Sequence, residues 1–242
     1  MIILAIDTSN RPLSVAVLQD TQLLATATFN CRQKDHSTTL LPLIADLLKQ
    51  VDLQPSQIDR IVVAQGPGSY TGLRIGVTAA KTLAFVLKKE LVGVSSLAVL
   101  AAPVQPENDE TVIVPMFDAR RECVFAGIYQ QKNEGLVSLL ADQHLALTKL
   151  IAVLKKYSKI ILVGQDAILF NQQIQENVHA EVVLANKVFD YPQAYQLGLL
   201  GRITNPVGIH DFVPHYLRLT QAEKYWLDHH QEKLNEPLVE KF

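Results

Sequence analysis

Apolar positions open the chain in short blocks separated by turn chemistry. Ile2–Ile6 ends at Asp7-Thr-Ser-Asn-Arg-Pro12, and a second apolar block, Leu13–Leu18, ends at Gln19-Asp-Thr-Gln22. With Leu23–Phe29 these blocks predict three strands joined by tight turns. Ser37 then predicts the cap of a helix running to about Val51, with Pro42 near its first turn, where proline is best tolerated. Pro55-Ser-Gln interrupts the chain. Ile61-Val-Val-Ala64, inside Asp59–Gln65, is a continuous apolar run of the kind buried in a parallel sheet. Gly66–Gly72 is a loop, Leu73–Lys89 a helix and Leu91–Val94 a strand. The order β-β-β-α-β-α-β predicts a mixed sheet with helices on its faces.

After a helical stretch at Ser96–Ala102, Pro103-Val-Gln-Pro-Glu-Asn-Asp-Glu110 combines two prolines with three acids and is the best boundary in the chain. A second series follows. It predicts strands at Val112–Phe117, Cys123–Tyr129 and Leu136–Leu140, with turns at Asp118-Ala-Arg-Arg121 and Lys132–Gly135. A helix at Leu147–Leu154, a strand at Lys159–Val163 and further helical segments come next. The second half thus restarts as the first did, without a sequence repeat. The predicted units are 1–102, carrying a partner surface, and a smaller 103–214. The segment from about 215 to 242, with Tyr225, Trp226, His229 and His230, reads either as a helix docked on the first unit or as a free tail.

Composition narrows the function classes. Of 242 residues, 48% are apolar and 19% charged, which is a globular balance. The 22 Lys and Arg nearly cancel the 24 Asp and Glu, and no dense basic run exists, so a long salt-sensitive grip on nucleic acid is not expected of this chain alone. Two cysteines, Cys31 and Cys123, without a CxxC, fit a reducing cytosol. The apolar N-terminus lacks a basic lead and meets Asp7 at once, so it reads as a strand; no apolar run reaches the roughly 20 residues of a membrane span. A cytoplasmic chain without membrane contact is expected.

Gly66-Pro-Gly-Ser-Tyr-Thr-Gly-Leu-Arg-Ile-Gly76 follows a strand and opens a helix, the context in which backbone N–H groups cradle phosphate. Its spacing fits neither known cradle. No Lys follows Gly72, and the third glycine comes one residue late for GxGxxG. The residue-level reading is structural: a tight turn at Gly66 and Gly68, a cap from Ser69 or Thr71, and close packing at Gly72 and Gly76. No histidines on one helix are spaced to hold a metal; His36 has Leu40 at i+4, and His144, His179, His210, His215, His229 and His230 form no HExxH. Ser69 is not in a GxSxG elbow.

Both first-half helices carry more apolar surface than one sheet covers. In the first, Leu40, Ile44, Leu47, Leu48 and Val51 form one face and Leu41, Leu43 and Ala45 extend it. In the second, Arg74, Thr78, Lys81 and Thr82 make a narrow polar stripe beside small residues at Gly72, Gly76, Ala79, Ala80 and Ala84. The surplus predicts either an association site or deeper burial by loops or the second unit.

Taken whole, GPGSYTGLRIG resembles the hallmark of the TsaB (YeaZ) family. Ile6-Asp-Thr-Ser9, Asp118-Ala-Arg-Arg121, Pro214-His-Tyr-Leu-Arg218 and Ala222-Glu223 agree in order along nearly the whole chain. Glu122-Cys-Val-Phe125 departs slightly from the family's usual Gly- and Tyr-containing variants. The resemblance implies a two-domain actin/Hsp70/sugar-kinase-like (ASKHA) fold, with mixed sheets flanked by helices. Working members of that class hold ATP on an Asp and a glycine-rich hairpin in each domain. Here Asp7-Thr-Ser-Asn-Arg-Pro12 and Asp118-Ala-Arg-Arg121 lack the glycines, and only Val163-Gly-Gln-Asp166 stands near the expected adenosine position. Both aspartates also read as plain turn formers.

The resemblance further implies an accessory, non-catalytic subunit for transfer of a threonylcarbamoyl group to N6 of adenosine 37 in tRNAs reading ANN codons. Its partners would be a TsaD-like catalytic subunit, a TsaE-like ATPase, tRNA through the complex, and a second copy in isolation. No cofactor would be bound tightly; ATP or ADP would sit at the complex interface, with Asp7, Ser9, Asp118 and Arg121 as contacts. The partner surface would comprise His36, Leu40, Leu41, Ile44, Leu48, Tyr70, Arg74, Val77, Thr78 and Lys81. An active small-molecule kinase or ATPase of the same fold is the rival reading, followed by a metallopeptidase. On the sequence alone, Leu41→Arg or Val77→Arg is expected to abolish pairing, read by size-exclusion chromatography, while the monomer stays folded.

Overall fold

A computed structural model of the chain describes residues 1–30, 36–133 and 135–218. The first sheet is built from β1 (Ile2–Asp7), β2 (Leu13–Gln19), β3 (Gln22–Phe29), β4 (Arg60–Gly66) and β5 (Glu90–Ser95) in the order β3-β2-β1-β4-β5. The second holds β6 (Val112–Asp118), β7 (Cys123–Lys132), β8 (Gly135–Ala146), β9 (Lys159–Val163) and β10 (Glu181–Leu184) in the order β10-β9-β6-β7-β8. Written from the outer hairpin strand inward, the two orders are the same. In each, the first strand is antiparallel to the second and parallel to the fourth. The duplication expected from the pattern of strands is therefore present in the topology, as in the ASKHA architecture.

The helices follow the same duplication. α1 (His36–Gln50) and α2 (Tyr70–Leu87) flank β4 in sequence, and α4 (Leu147–Leu154) and α5 (Ala167–Gln175) flank β9. The helix that leaves each sheet covers the other. α3 (Ser96–Ala101) follows β5 yet buries Leu97, Leu100 and Ala101 against Ile113, Phe117 and Val163 of the second sheet. α6 (Ala194–Ile203) follows β10 and buries Ala194 and Leu197 against Ile3, Ala5, Val62 and Val92 of the first.

The placement of α6 differs from the expectation that residues to 214 belong with the second sheet. The reason lies in two glycines. A Cβ on Gly198 would lie 2.6 Å from Leu18 Cδ1, and one on Gly201 would lie 2.2 Å from Val62 Cγ1, so the helix backbone rests directly on the sheet. Arg60 at the start of β4 holds the helix end, its Nη1 donating to the carbonyls of Gly201 (2.8 Å), Arg202 (2.9 Å) and Thr204 (3.1 Å). Two boundaries also shift. α2 begins at Tyr70, with Ser69 Oγ accepting from Gly72 N, and β8 runs on to Ala146 because its backbone stays paired with β7 as far as Cys123.

Gly201→Val is expected to lower the free energy of unfolding by about 1–3 kcal/mol, because stiff side chains would meet across the α6–β4 contact. Urea unfolding measures it.

Candidate functional site

The α2 glycines face the chain's own first hairpin. A Cβ on Gly68 would lie 2.2 Å from Ser9 O, one on Gly72 2.1 Å from Thr8 O, and one on Gly76 2.2 Å from Thr8 Oγ1. Ser69 N donates to Ser9 O (2.7 Å), and Thr8 Oγ1 donates to Gly72 O (2.7 Å). The space that a glycine loop leaves open for phosphate is here filled by carbonyl oxygens, which repel an anion. Sequence spacing does not fit a phosphate loop, and the contact gives Gly68, Gly72 and Gly76 a packing role.

Between the two hairpins lies a cleft of ≈ 570 Å³ lined by both domains. Ser9 and Asp118, expected as nucleotide contacts, line it; Asp7 and Arg121 do not. Arg120 lines it in place of Arg121, with Arg11, Asn10 and Asp166. Asp7 is only 2% exposed; its Oδ1 accepts from Ser9 N (2.8 Å) and Ser9 Oγ (2.7 Å), and its Oδ2 is buried with no partner among the described residues. Asp118 Oδ1 accepts from Arg120 N (2.7 Å), and its own N–H donates to Asp166 Oδ2 (2.9 Å). Both aspartates therefore build turns.

The second hairpin is strained. Arg120, Arg121 and Glu122 all adopt left-handed backbone, with φ of 65°, 54° and 57°. For non-glycine residues this costs roughly 1–2 kcal/mol each. Cys123 N to Arg120 O (3.1 Å), Ala119 N to Cys123 O (2.9 Å) and Leu147 N to Glu122 O (2.8 Å) hold the turn. Three successive left-handed residues without Gly or Asn cannot be read from sequence, which explains why Arg121 was expected where Arg120 stands.

A second candidate site is the groove between α1 and α2, ≈ 490 Å³ and mostly apolar, lined by Ser37, Leu41, Ile75, Thr78, Ala79 and Leu83 among others. It sorts the expected partner residues. Leu41 (53% exposed), Thr78 and Arg74 reach its surface. Leu40, Ile44, Leu48 and Val77 do not: each is 5% exposed or less and packs against Val15, Val17 and Val63 in the core of the first sheet. Leu40 reaches the groove only as its floor. His36 is likewise buried, its Nε2 3.1 Å from Arg11 O. Val77→Arg would bury an unpaired charge and unfold the domain, so it is no test of pairing.

Tyr70, Arg74 and Lys81 meet the chain's own residues 207–218. Lys81 Nζ donates to His210 O (3.0 Å) and Phe212 O (2.6 Å), and Arg74 Nε donates to Tyr216 Oη (3.1 Å). The rings of Tyr70 and Tyr216 are 4.9 Å apart. The segment up to Tyr216 thus packs on the first domain, and the tail beyond 218 lies outside the described residues. One cluster escaped the sequence altogether. Asp142 of β8 accepts from Tyr129 Oη (2.6 Å) and from Ser95 Oγ, the hydroxyl that also caps α3. It ties the second sheet to the crossover helix, and burial pushes its carboxyl above the ordinary range.

A family model described as TsaD, tRNA N6-adenosine threonylcarbamoyltransferase, matches residues 29–226. The chain is similar to the Bacillus subtilis protein named tRNA threonylcarbamoyladenosine biosynthesis protein TsaB, with 39% identity over 229 residues, 94% of this chain and 99% of that one. It is similar over a shorter stretch to a Thermomicrobium roseum protein named tRNA N6-adenosine threonylcarbamoyltransferase: 33% identity across 40% of this chain and 31% of that protein. Among solved structures, YeaZ from Pseudomonas aeruginosa superposes with a TM-score of 0.75 at 26% identity, covering 89% of this chain and 99% of that one.

Burial raises the Asp7 carboxyl above its ordinary 3.8, only partly offset by the Ser9 hydrogen bonds and by His36. The folded chain therefore binds the Asp7 proton more tightly than the unfolded chain does. Stability from this group is present at low pH and is lost as pH rises from about 4 through the folded-state value. Asp142, raised by burial in the same sense, adds to the slope, so Asp7→Asn is expected to reduce it and leave the Asp142 share, read by urea unfolding between about pH 4 and pH 8; an unchanged slope would exclude Asp7 as a source.

Proposed function

The chain belongs to the TsaB family, and from that premise we propose that it is the non-catalytic subunit of the assembly that places a threonylcarbamoyl group on N6 of adenosine 37 in tRNAs reading ANN codons. Its part is to seat and activate a TsaD-like catalytic subunit in the cytosol, with a TsaE-like ATPase completing the assembly. tRNA is reached through the complex, in keeping with a chain of formal net charge −2. In isolation the same surface pairs with a second copy.

The groove between α1 and α2 carries this reading. Leu41, Ile75, Ala79 and Leu83 present apolar surface there that no other described element covers. Such a face on a small domain marks an association site. The interdomain cleft supports the accessory role from the other side. The helix that would receive phosphate has Ser69 N and Gly72 N already bonded to Ser9 O and Ser69 Oγ, and Gly68 and Gly72 face carbonyl oxygens. Any ATP or ADP is then held at the complex interface, where Arg120 and Ser9 are the groups this chain offers from the cleft wall.

Leu41 and Thr78 are exposed, so Leu41→Arg with Thr78→Arg is expected to leave stability within about 0.5 kcal/mol of the parent chain. The double variant is expected to lose co-purification with the TsaD-like subunit and to elute as a monomer in size-exclusion chromatography with light scattering. Undiminished pairing of a folded double variant would sink the groove as the docking site.

A further inference from the structure

Residues 207–218 run from the edge of the first sheet to the hairpin of the second domain, and every stage of that path is bonded. Val207 N donates to Leu91 O (2.8 Å) along β5. Phe212 is buried, and a Cβ on Gly93 would lie 2.5 Å from its ring, so the strand is glycine where the ring crosses. His215 N donates to Gln65 O (2.7 Å), and Gly66, with φ of 120°, would bring a Cβ to 2.7 Å from His215 O. Tyr216 then lies on Tyr70 of α2, its hydroxyl bonded by Arg74, whose guanidinium carbon stands 4.3 Å from the Tyr70 ring centroid. Two residues later Arg218 Nη1 donates to Ala119 O (3.0 Å), the carbonyl just ahead of the three left-handed residues.

We infer that this segment is a strap that couples α2 to the strained hairpin Ala119–Glu122 and sets the position of Arg120 in the cleft. The hairpin's backbone is one that non-glycine residues leave readily, so it persists only while its surroundings hold it. Asp118 and Leu147 hold it from within the second domain. Among the described residues Arg218 holds it from the segment packed on the first domain, and two residues earlier Tyr216 rests on the helix that lines the α1–α2 groove. A molecule seated in that groove meets Arg74 and thereby the Tyr216 anchor, so its arrival is felt at the cleft. This last step rests on the docking proposed above; the strap itself does not. Arg218 and Tyr216 are positioning residues in this scheme.

Amide hydrogen exchange on the full chain tests the coupling. In Arg218→Ala, the Ala119, Cys123 and Leu147 amides are expected to exchange about tenfold faster while β1 and β4 amides keep their protection. Tyr216→Ala, altered at the first-domain end, is expected to produce the same acceleration in the second-domain hairpin. Arg218→Lys, which can still donate one hydrogen bond, is expected to restore part of it. Should Tyr216→Ala accelerate exchange throughout the molecule, Tyr216→Phe carries the test: it keeps the ring and removes only the hydroxyl bonded by Arg74, with a smaller acceleration confined to the hairpin. Hairpin exchange at the parent rate in Arg218→Ala, or in a folded Tyr216 variant, would overturn the strap. Placing Arg218→Ala in the Leu41→Arg, Thr78→Arg background separates the two ideas: with pairing lost, the hairpin amides are still expected to exchange about tenfold faster than in the double variant alone, because the strap does not depend on the docking.

Discussion

The contact between the glycine face of α2 and the turn Thr8–Ser9 organises the molecule. Gly68, Gly72 and Gly76 let the helix backbone approach within a distance no side chain would allow, and the Thr8 Oγ1–Gly72 O and Ser69 N–Ser9 O bonds lock it there. Once the helix is held this close to β1, its positions divide. Leu73, Val77, Ala80 and Ala84 enter the core. Tyr70, Arg74 and Lys81 meet residues 210–216. Ile75, Thr78, Ala79 and Leu83 are left to form the groove with α1. One close approach therefore places both the core and the α1–α2 groove. It also sets the Ser9 and Thr8 carbonyl oxygens against Gly68 and Gly72.

The four family signatures visible in the sequence are joined in space by the same logic. The first turn rests on the glycine segment. The glycine helix carries Tyr70 and Arg74, which hold Tyr216. Arg218, two residues on, holds Ala119 in the second hairpin. Residues far apart in the chain are thus constrained by contact with one another. The half-buried Asp142 cluster adds a further tie between the domains, at the N-terminus of α3.

Much of the fold was legible because turn formers bracket the apolar runs. Asp7–Pro12, Gln19–Gln22 and Asp118–Arg121 mark the hairpins, and the continuous Ile61–Ala64 run marks a strand buried on both faces. What stayed hidden depends on which surface another element covers. Helical periodicity groups Leu40, Ile44 and Leu48, but only the position of the first sheet decides that they are core while Leu41 is exposed. The return of α6 to the first sheet is written only in Gly198 and Gly201, three apart in an otherwise ordinary amphipathic helix. Asp142 follows Leu139-Leu140-Ala141 with no motif around it, and its partners Ser95 and Tyr129 are distant in sequence. Arg120 displaced Arg121 through a backbone conformation that none of the residues there advertises.

Isothermal titration of the isolated chain with ATP and magnesium tests most directly whether the glycine segment serves the hairpin and not a phosphate. Because Thr8 and Ser9 carbonyls occupy the face that the glycines expose, binding tighter than about 1 mM is not expected. A dissociation constant of about 10 μM for the chain alone would contradict the account and return the cleft to the class of working nucleotide sites.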